Sequence, residues 1–210
     1  MKIALNSFGN TIEEHNSFLE FDKETLQSLT HEVKRINNLV NDLYELTLAD
    51  LGAMKYQMRE MDIGSCLEDV VDSYRDRLES SEIELSKSIH SVSNFLGDSY
   101  RLEQLFSNLI ENTLRYTDSP GKLNVQLIEE KNNVFITFSD SAPSVETEVI
   151  EKIFDRFFRE ELSRSREKGG AGLGLAICHE IVEAHSGQIS ASHSDLGGLS
   201  IQISLPRGDS

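Results

Sequence analysis

Asn108 and Asn112 stand four residues apart in a stretch patterned as a helix, so their carboxamides share one face. An amide oxygen can bind a hard cation such as Mg2+ without adding negative charge beside phosphates. Arg115 and Tyr116 follow at once, a cation for phosphate and a ring for stacking. Asp140 ends the apolar pattern Val134 to Ser139, where a carboxylate can accept a hydrogen bond from the exocyclic amine of adenine. Phe154-Asp155-Arg156-Phe157-Phe158-Arg159 pairs apolar anchors with two cations. Gly169-Gly170-Ala171-Gly172-Leu173-Gly174-Leu175 then sets glycines just ahead of a helix pattern. Without Cβ atoms, backbone N–H groups there can close around a phosphate chain, and the helix aims its free N–H groups and positive end at the same anion. Each feature also has a plain reading. Two Asn can face solvent, an Asp can close a turn, Arg can be surface charge, and a glycine run can be a flexible loop.

Spacing removes rival phosphate motifs. No Gly-Lys-Ser/Thr ending is present, so there is no P-loop. A dinucleotide fingerprint needs a strand before its glycines, and Arg164 to Lys168 is too charged to supply one. The net charge of −16 over 210 residues argues against a nucleic-acid partner and requires any anionic ligand to be held locally. Cys66 and Cys178 fall on apolar helix positions and read as reduced core thiols, consistent with a cytosolic compartment. His90, His179, His185 and His193 show no metal-ligand spacing. No apolar run approaches the roughly 18 residues of a membrane span, and Met1 to Asn10 turns polar too soon for a signal peptide.

The positioning elements follow from periodicity. Met1 to Glu14 reads as part of a helix, His15 to Phe21 as a break and Asp22 as an N-cap. Leu26, Leu29, Val33, Ile36, Val40 and Leu43 then alternate steps of three and four, the seam of a coiled coil or bundle. A two-helix hairpin cannot bury such a seam alone, which predicts a homodimeric four-helix bundle; the alternative folds the hairpin onto its own following domain. Residues 1–54 form this partial hairpin, 55–61 a joint and 62–210 a second domain. In that domain one amphipathic helix is predicted from Ile63 to Leu78 behind an Asp62 cap, and a strand around Ile83 to Ile89. A helix from Asp98 to Tyr116 follows, then strands Leu123 to Ile128 and Val134 to Phe138 joined at Lys131-Asn132-Asn133. A short helix Val149 to Phe157 precedes the glycine run, a helix Leu175 to Ala184 follows it, and Gln188 to His193 pairs with Leu199 to Leu205 across Gly197-Gly198. The class is α+β.

These stretches resemble the catalytic ATP-binding part of bacterial sensor histidine kinases. Asn108-Leu109-Ile110-Glu111-Asn112 with Arg115-Tyr116 is similar to the family's N box. Asp140 to Val145 is similar to its G1 box, Phe154 to Arg159 to its F box, and Gly170 to Leu175 to its G2 box. The likeness runs from about Asp62 to Pro206, and the wording is nearest the BaeS-like envelope-stress sensors. It implies a Bergerat-type (GHKL) α/β sandwich with a mixed sheet, preceded by a truncated dimerisation hairpin. It implies ATP and Mg2+ as ligands, with Asn112 on the metal and Asn108 beside it. Arg115 and Tyr116 would touch phosphate and nucleotide, and Asp140 the adenine. Gly170, Gly172, Leu173, Gly174 and Leu175 would form a mobile phosphate-binding lid. Arg115, Arg156 and Arg159 would be the catalytic cations, acting by positioning and charge neutralisation. The γ-phosphate would pass to a histidine of the hairpin and then to an aspartate on a response-regulator receiver domain. The whole would be the cytoplasmic part of an inner-membrane sensor, touching membrane only through a missing N-terminal part.

Two departures qualify that likeness. The family's His-Glu-x-Arg-x-Pro acceptor box is absent, and His31-Glu32-Val33-Lys34-Arg35 lacks both its Arg and its Pro. The economical expectation is a chain cut just downstream of the acceptor. Ala142 and Ser144 stand where the family often has glycine, so a Cβ at a positive-φ site would cost about 1–2 kcal/mol and weaken the adenine pocket. These departures motivate a rival reading, a nucleotide-binding dimerisation module without phosphotransfer. An ATP-hydrolysing relative fits less well, since such relatives usually carry a Glu base where Asn108 stands.

Overall fold

The computed structural model describes residues 23, 25–30, 32–33, 36–143, 145–158 and 171–207. The chain divides into two compact units, Met1–Leu43 and Tyr44–Ser210. In the first, every described residue is helical. Leu26, Leu29, Val33, Ile36, Val40 and Leu43 are each 45–63% exposed there, an apolar stripe at the expected three-four spacing. The helix expected over Met1 to Glu14, the break at His15 to Phe21, the Asp22 cap and His31 lie outside the described residues.

The second unit opens on helical residues 44–50 (α1). It continues β1 (Arg59–Met61), α2 (Ile63–Ser73), α3 (Arg75–Ser80), β2 (Ile83–Ser88), β3 (Phe95–Gly97), α4 (Ser99–Tyr116), β4 (Gly121–Glu130) and β5 (Asn133–Asp140). Then come α5 (Thr147–Ile150), α6 (Gly174–Ala184), β6 (Gln188–His193) and β7 (Leu199–Pro206). The main sheet has the order β2-β4-β5-β7-β6, with β2 parallel to β4 and every other pair antiparallel.

Period-two alternation gives this sheet one apolar face. Leu123, Val125 and Leu127 of β4, Val134, Ile136 and Phe138 of β5, and Ile201, Ile203 and Leu205 of β7 are all buried. Against them lie the apolar stripes of α2 (Ile63, Leu67, Val70, Val71), α4 (Leu102, Leu105, Phe106, Leu109, Ile110) and α6 (Ala176, Ile177, Cys178, Ile181, Val182). Phe106 stacks on Phe138 across the layers, ring centroids 6.4 Å apart. The result is a two-layer sandwich of mixed sheet and helices, the fold class expected from the sequence.

Several elements differ in detail. The single helix expected from Ile63 to Leu78 is two, because the last turn of α2 tightens and the Tyr74 N–H bonds the Val71 carbonyl. The helix expected over Val149 to Phe157 stops at Ile150. Phe157 has a left-handed φ of 62°, and its N–H bonds the Gly172 carbonyl at 2.9 Å instead of a helical acceptor. The joint is partly a strand, with β1 pairing antiparallel to β3. The turn between β4 and β5 narrows to Lys131–Asn132, with Lys131 at φ 53°.

Candidate nucleotide site

α4 is the wall on which the site is built. Asp98 caps it, accepting from the Arg101 N–H, and its buried stripe faces the sheet. That leaves Asn108, Asn112 and Arg115 half-buried on the other side, with Tyr116 at its exposed end. Asn108 Nδ2 donates to the Gly174 carbonyl at 3.4 Å, and the Cys178 thiol lies beside the same amide. The carboxamide wall thus meets the first residue of α6.

The start of α6 is chemically open. α2 and α4 have aspartate caps, whereas the N-cap of α6 is the buried Leu173, which supplies no side-chain acceptor. Its first N–H groups therefore face the site with the positive end of the helix and no competing carboxylate. Leu175 and Gly174 are half-buried on that first turn. Gly172 has φ +71°, and a Cβ on it would lie 2.7 Å from the Phe158 carbonyl oxygen. Only glycine fits this crossing, which joins the two ends of the segment between Phe158 and Ala171. Gly170 and Arg159, both candidates from the sequence, lie outside the described residues.

Asp140 occupies a core-side position of β5, the next in the series Val134, Ile136, Phe138. It is 6% exposed among apolar neighbours, a costly place for a carboxylate unless it is hydrogen-bonded. Oδ1 accepts from the N–H groups of Leu199 (2.9 Å) and Ala142 (3.2 Å), and Oδ2 from Thr113 Oγ1 at 3.4 Å. Burial pushes the carboxyl above its usual range, while these donors favour the anion. Oδ2 keeps capacity for a further donor. Gly198 makes the arrangement possible, since a Cβ there would come 2.3 Å from Asp140 Oδ1. Ala142 is not among the positive-φ residues, so the strain expected of its Cβ does not arise. Ser144 lies outside the described residues.

Of the candidate cations, Arg156 is already engaged. Its guanidinium grips both oxygens of Asp50 at 2.5 and 2.6 Å, with Glu180 at 2.9 Å. Nearby, Arg101 and Gln104 of α4 hold Glu45 of α1, each at 2.7 Å, around the buried Leu46. Asp98 Oδ2 accepts from the Gln57 N–H at 2.7 Å. The Asp98 N–H donates to His185 Nε2 at 3.0 Å, which leaves Nδ1 as the protonated nitrogen bonding the Ile181 carbonyl. Thr113 and His185 were not singled out as site or positioning residues in the sequence; only strand alternation at Asp140 hinted that buried donors must converge there.

The residues present suit a Mg-nucleotide. A neutral amide wall, an uncapped helix start, two glycines where a Cβ would collide and a buried acceptor converge on α4, α6 and the end of β5. Among the described residues no cluster of three His, Cys, Asp or Glu side chains could hold a metal. A divalent cation held by the described residues would depend on amide oxygen and phosphate, as Mg2+ commonly does.

The profile of the family described as "Histidine kinase-, DNA gyrase B-, and HSP90-like ATPase" matches residues 97–209. The signal transduction histidine-protein kinase BaeS of Escherichia coli (strain K12) is 46% identical over 187 residues, 89% of this chain and 40% of BaeS. This chain thus spans well under half the length of that curated relative. The solved histidine kinase AdeS of Acinetobacter baumannii superposes with a TM-score of 0.73 at 26% identity, covering 88% of this chain and 84% of the solved chain. Histidine kinase ThkA, solved in complex with the response regulator protein TrrA, superposes with a TM-score of 0.67 over 85% of this chain and 49% of ThkA. At 21% identity that last likeness bears on the fold alone.

Proposed function

We propose, because the chain belongs to the histidine kinase-, DNA gyrase B- and HSP90-like ATPase family, that it is the catalytic ATP-binding portion of a two-component sensor histidine kinase. Its task is to bind Mg-ATP and present the γ-phosphoryl group to a histidine on a dimerisation hairpin, from which an aspartate of a response regulator receives it. The observation that carries this is the contact of Asn108 with the uncapped start of α6, one neutral wall against one anion-seeking helix end.

Each residue's part follows from its surroundings. Asp140 accepts the adenine amine through Oδ2, held in place by the Leu199 and Ala142 N–H groups. Tyr116 offers its exposed ring to the nucleotide, and Arg115 neutralises phosphate charge. Gly172, Leu173, Gly174 and Leu175 present backbone N–H groups to the triphosphate. Asn112 would hold the metal through its amide oxygen, with Asn108 beside it. Mg2+, when bound, spreads the charge that builds up on the phosphates. Arg156 reaches phosphate only by giving up Asp50. Positioning and charge neutralisation are then the chemistry this chain contributes.

The exposed stripe from Leu26 to Leu43 suits a second copy of the chain, giving a homodimeric bundle of 1–54 hairpins ahead of the ATP-binding domain. No helix among the described residues is long and apolar enough to cross a membrane. A place on the cytoplasmic side of a membrane sensor fits that and the length of BaeS beyond the matched part. The test supplies a separate hairpin bearing a His-Glu-x-Arg-x-Pro box, together with γ-labelled ATP. Label on the hairpin histidine is expected. Nucleotide binding without transfer would favour a regulatory dimerisation module instead, and no binding would sink both.

A further inference from the structure

Glu111 is the one acid in the stretch Asn108 to Arg115, three residues after Asn108 and four before Arg115. All three are half-buried on the same side of α4. A glutamate four residues N-terminal to an arginine is the favoured arrangement for an intrahelical ion pair. Glu111 makes no hydrogen bond to Arg115, which reaches its carboxylate only as a through-space attraction weaker than that of Arg77. Both its oxygens are taken by Arg77 of α3, Nη1 to Oε1 at 2.5 Å and Nη2 to Oε2 at 3.0 Å. The Arg77 guanidinium also lies over the Tyr74 ring, 5.0 Å from its centroid, and the Tyr74 phenol sits beside Ser107 and Glu111. Among the described residues Arg115 forms no ion pair.

The paired side chains are 56% and 38% exposed, so the bridge adds little to folding. Its consequence is a choice of partner. A planar guanidinium that binds both carboxylate oxygens fixes Glu111 more firmly than a single contact would. Without Arg77, the nearest cation for Glu111 is Arg115 one turn on. A carboxylate there would occupy the guanidinium and add a negative charge beside the phosphates.

We propose that Arg77 is a positioning residue for nucleotide binding: by clamping Glu111 it keeps that carboxylate off Arg115 and leaves the Arg115 guanidinium to the triphosphate. The inference rests on Arg115 as the phosphate cation of the proposed function. The test titrates Mg-ATP calorimetrically into wild type, Arg77→Ala, Glu111→Gln, Arg115→Ala and the double variant Arg77→Ala/Glu111→Gln. Far-UV CD on each verifies the fold. Arg77→Ala should bind roughly three- to tenfold more weakly, a modest loss because the competing pair is solvated. Glu111→Gln should bind at least as tightly as wild type, and the double variant should return to it. The Arg115 Nε–Hε NMR resonance should move in Arg77→Ala and move back in the double variant. A loss that Glu111→Gln does not rescue would mean Arg77 acts through the fold, and the inference falls. It falls equally if Arg77→Ala binds like wild type. Wild type binding ATP while Arg115→Ala binds equally well would remove the phosphate role of Arg115 alone. Absence of binding by wild type would remove the whole functional reading.

Discussion

Gly197 and Gly198 are adjacent, yet substituting each should have a different outcome. A methyl group on Gly198 would lie 2.3 Å from Asp140 Oδ1, 2.4 Å from Ala142 N and 2.7 Å from the Ala142 carbonyl oxygen. Two of these atoms are backbone, and the third is fixed by the Leu199 and Ala142 N–H groups. No rotamer change relieves the clash, so the start of β7 or the 140–142 turn must shift. Forced shifts in packed regions cost about 1–3 kcal/mol. A buried N–H that loses Asp140 adds about 1–3 kcal/mol more. For a unit of this size each kcal/mol is worth about 2–4 °C, so Gly198→Ala should lower Tm by about 4–24 °C. It should also weaken ATP binding at least about tenfold, since the displaced carboxylate loses a charge-assisted hydrogen bond to the base. Gly197 has φ +104°, and a methyl group there would meet nothing within 4 Å. Gly197→Ala therefore meets backbone strain alone, about 1–3 kcal/mol, and ATP affinity should hold. Thermal denaturation followed by calorimetry at a temperature where both variants are folded separates the two effects. Equal ATP affinity for the two variants would refute the assignment of Asp140 to the base.

Three further outcomes follow from contacts elsewhere. Burial holds the His185 imidazole below its usual range, against the Ile181 carbonyl and Asp98; the unfolded chain therefore takes up a proton first, and stability should fall as pH drops below about 6.5, a slope that His185→Gln should flatten in urea titrations. Asp50→Asn frees Arg156 from its bidentate partner; if Arg156 serves the phosphates, ATP should bind roughly two- to fivefold more tightly at low salt, with the gain vanishing at high salt. Leu46, 2% exposed in α1, should cost about 2–5 kcal/mol as Leu46→Ala in chemical denaturation, whereas Leu26→Ala on the exposed stripe should cost far less in a monomeric sample.

Much of this was legible in the residues because it is local. The α4 stripe, the Asp62 cap and the 188–205 hairpin follow from periodicity and capping chemistry, whereas Asp98, read as the first residue of its helix, is its cap. Asp140 was legible twice over, as a strand-end acid and as a residue that alternation turns toward the core. What escaped was non-local or too short. A three-residue strand such as β1 has no alternation to detect, and its partner β3 is found only once the chain folds. Arg77–Glu111 and Arg156–Asp50 join residues 34 and 106 positions apart, which no spacing rule reaches. The end of α5 was missed because Phe157 bonds Gly172 across the glycine segment, so a helical pattern gave way to a tertiary contact. The strain expected at Ala142 failed because the turn there is built by Asp140 and keeps an ordinary φ.

The central claim is that the carboxamides of α4 and the uncapped start of α6 hold one Mg-triphosphate between them. Its most direct test is a calorimetric titration of ATP, with and without Mg2+, into wild type and Asn112→Asp. The account expects Mg-dependent binding by wild type, and loss of that Mg dependence in the variant with the far-UV CD spectrum unchanged. Identical Mg-dependent binding by both proteins would contradict it.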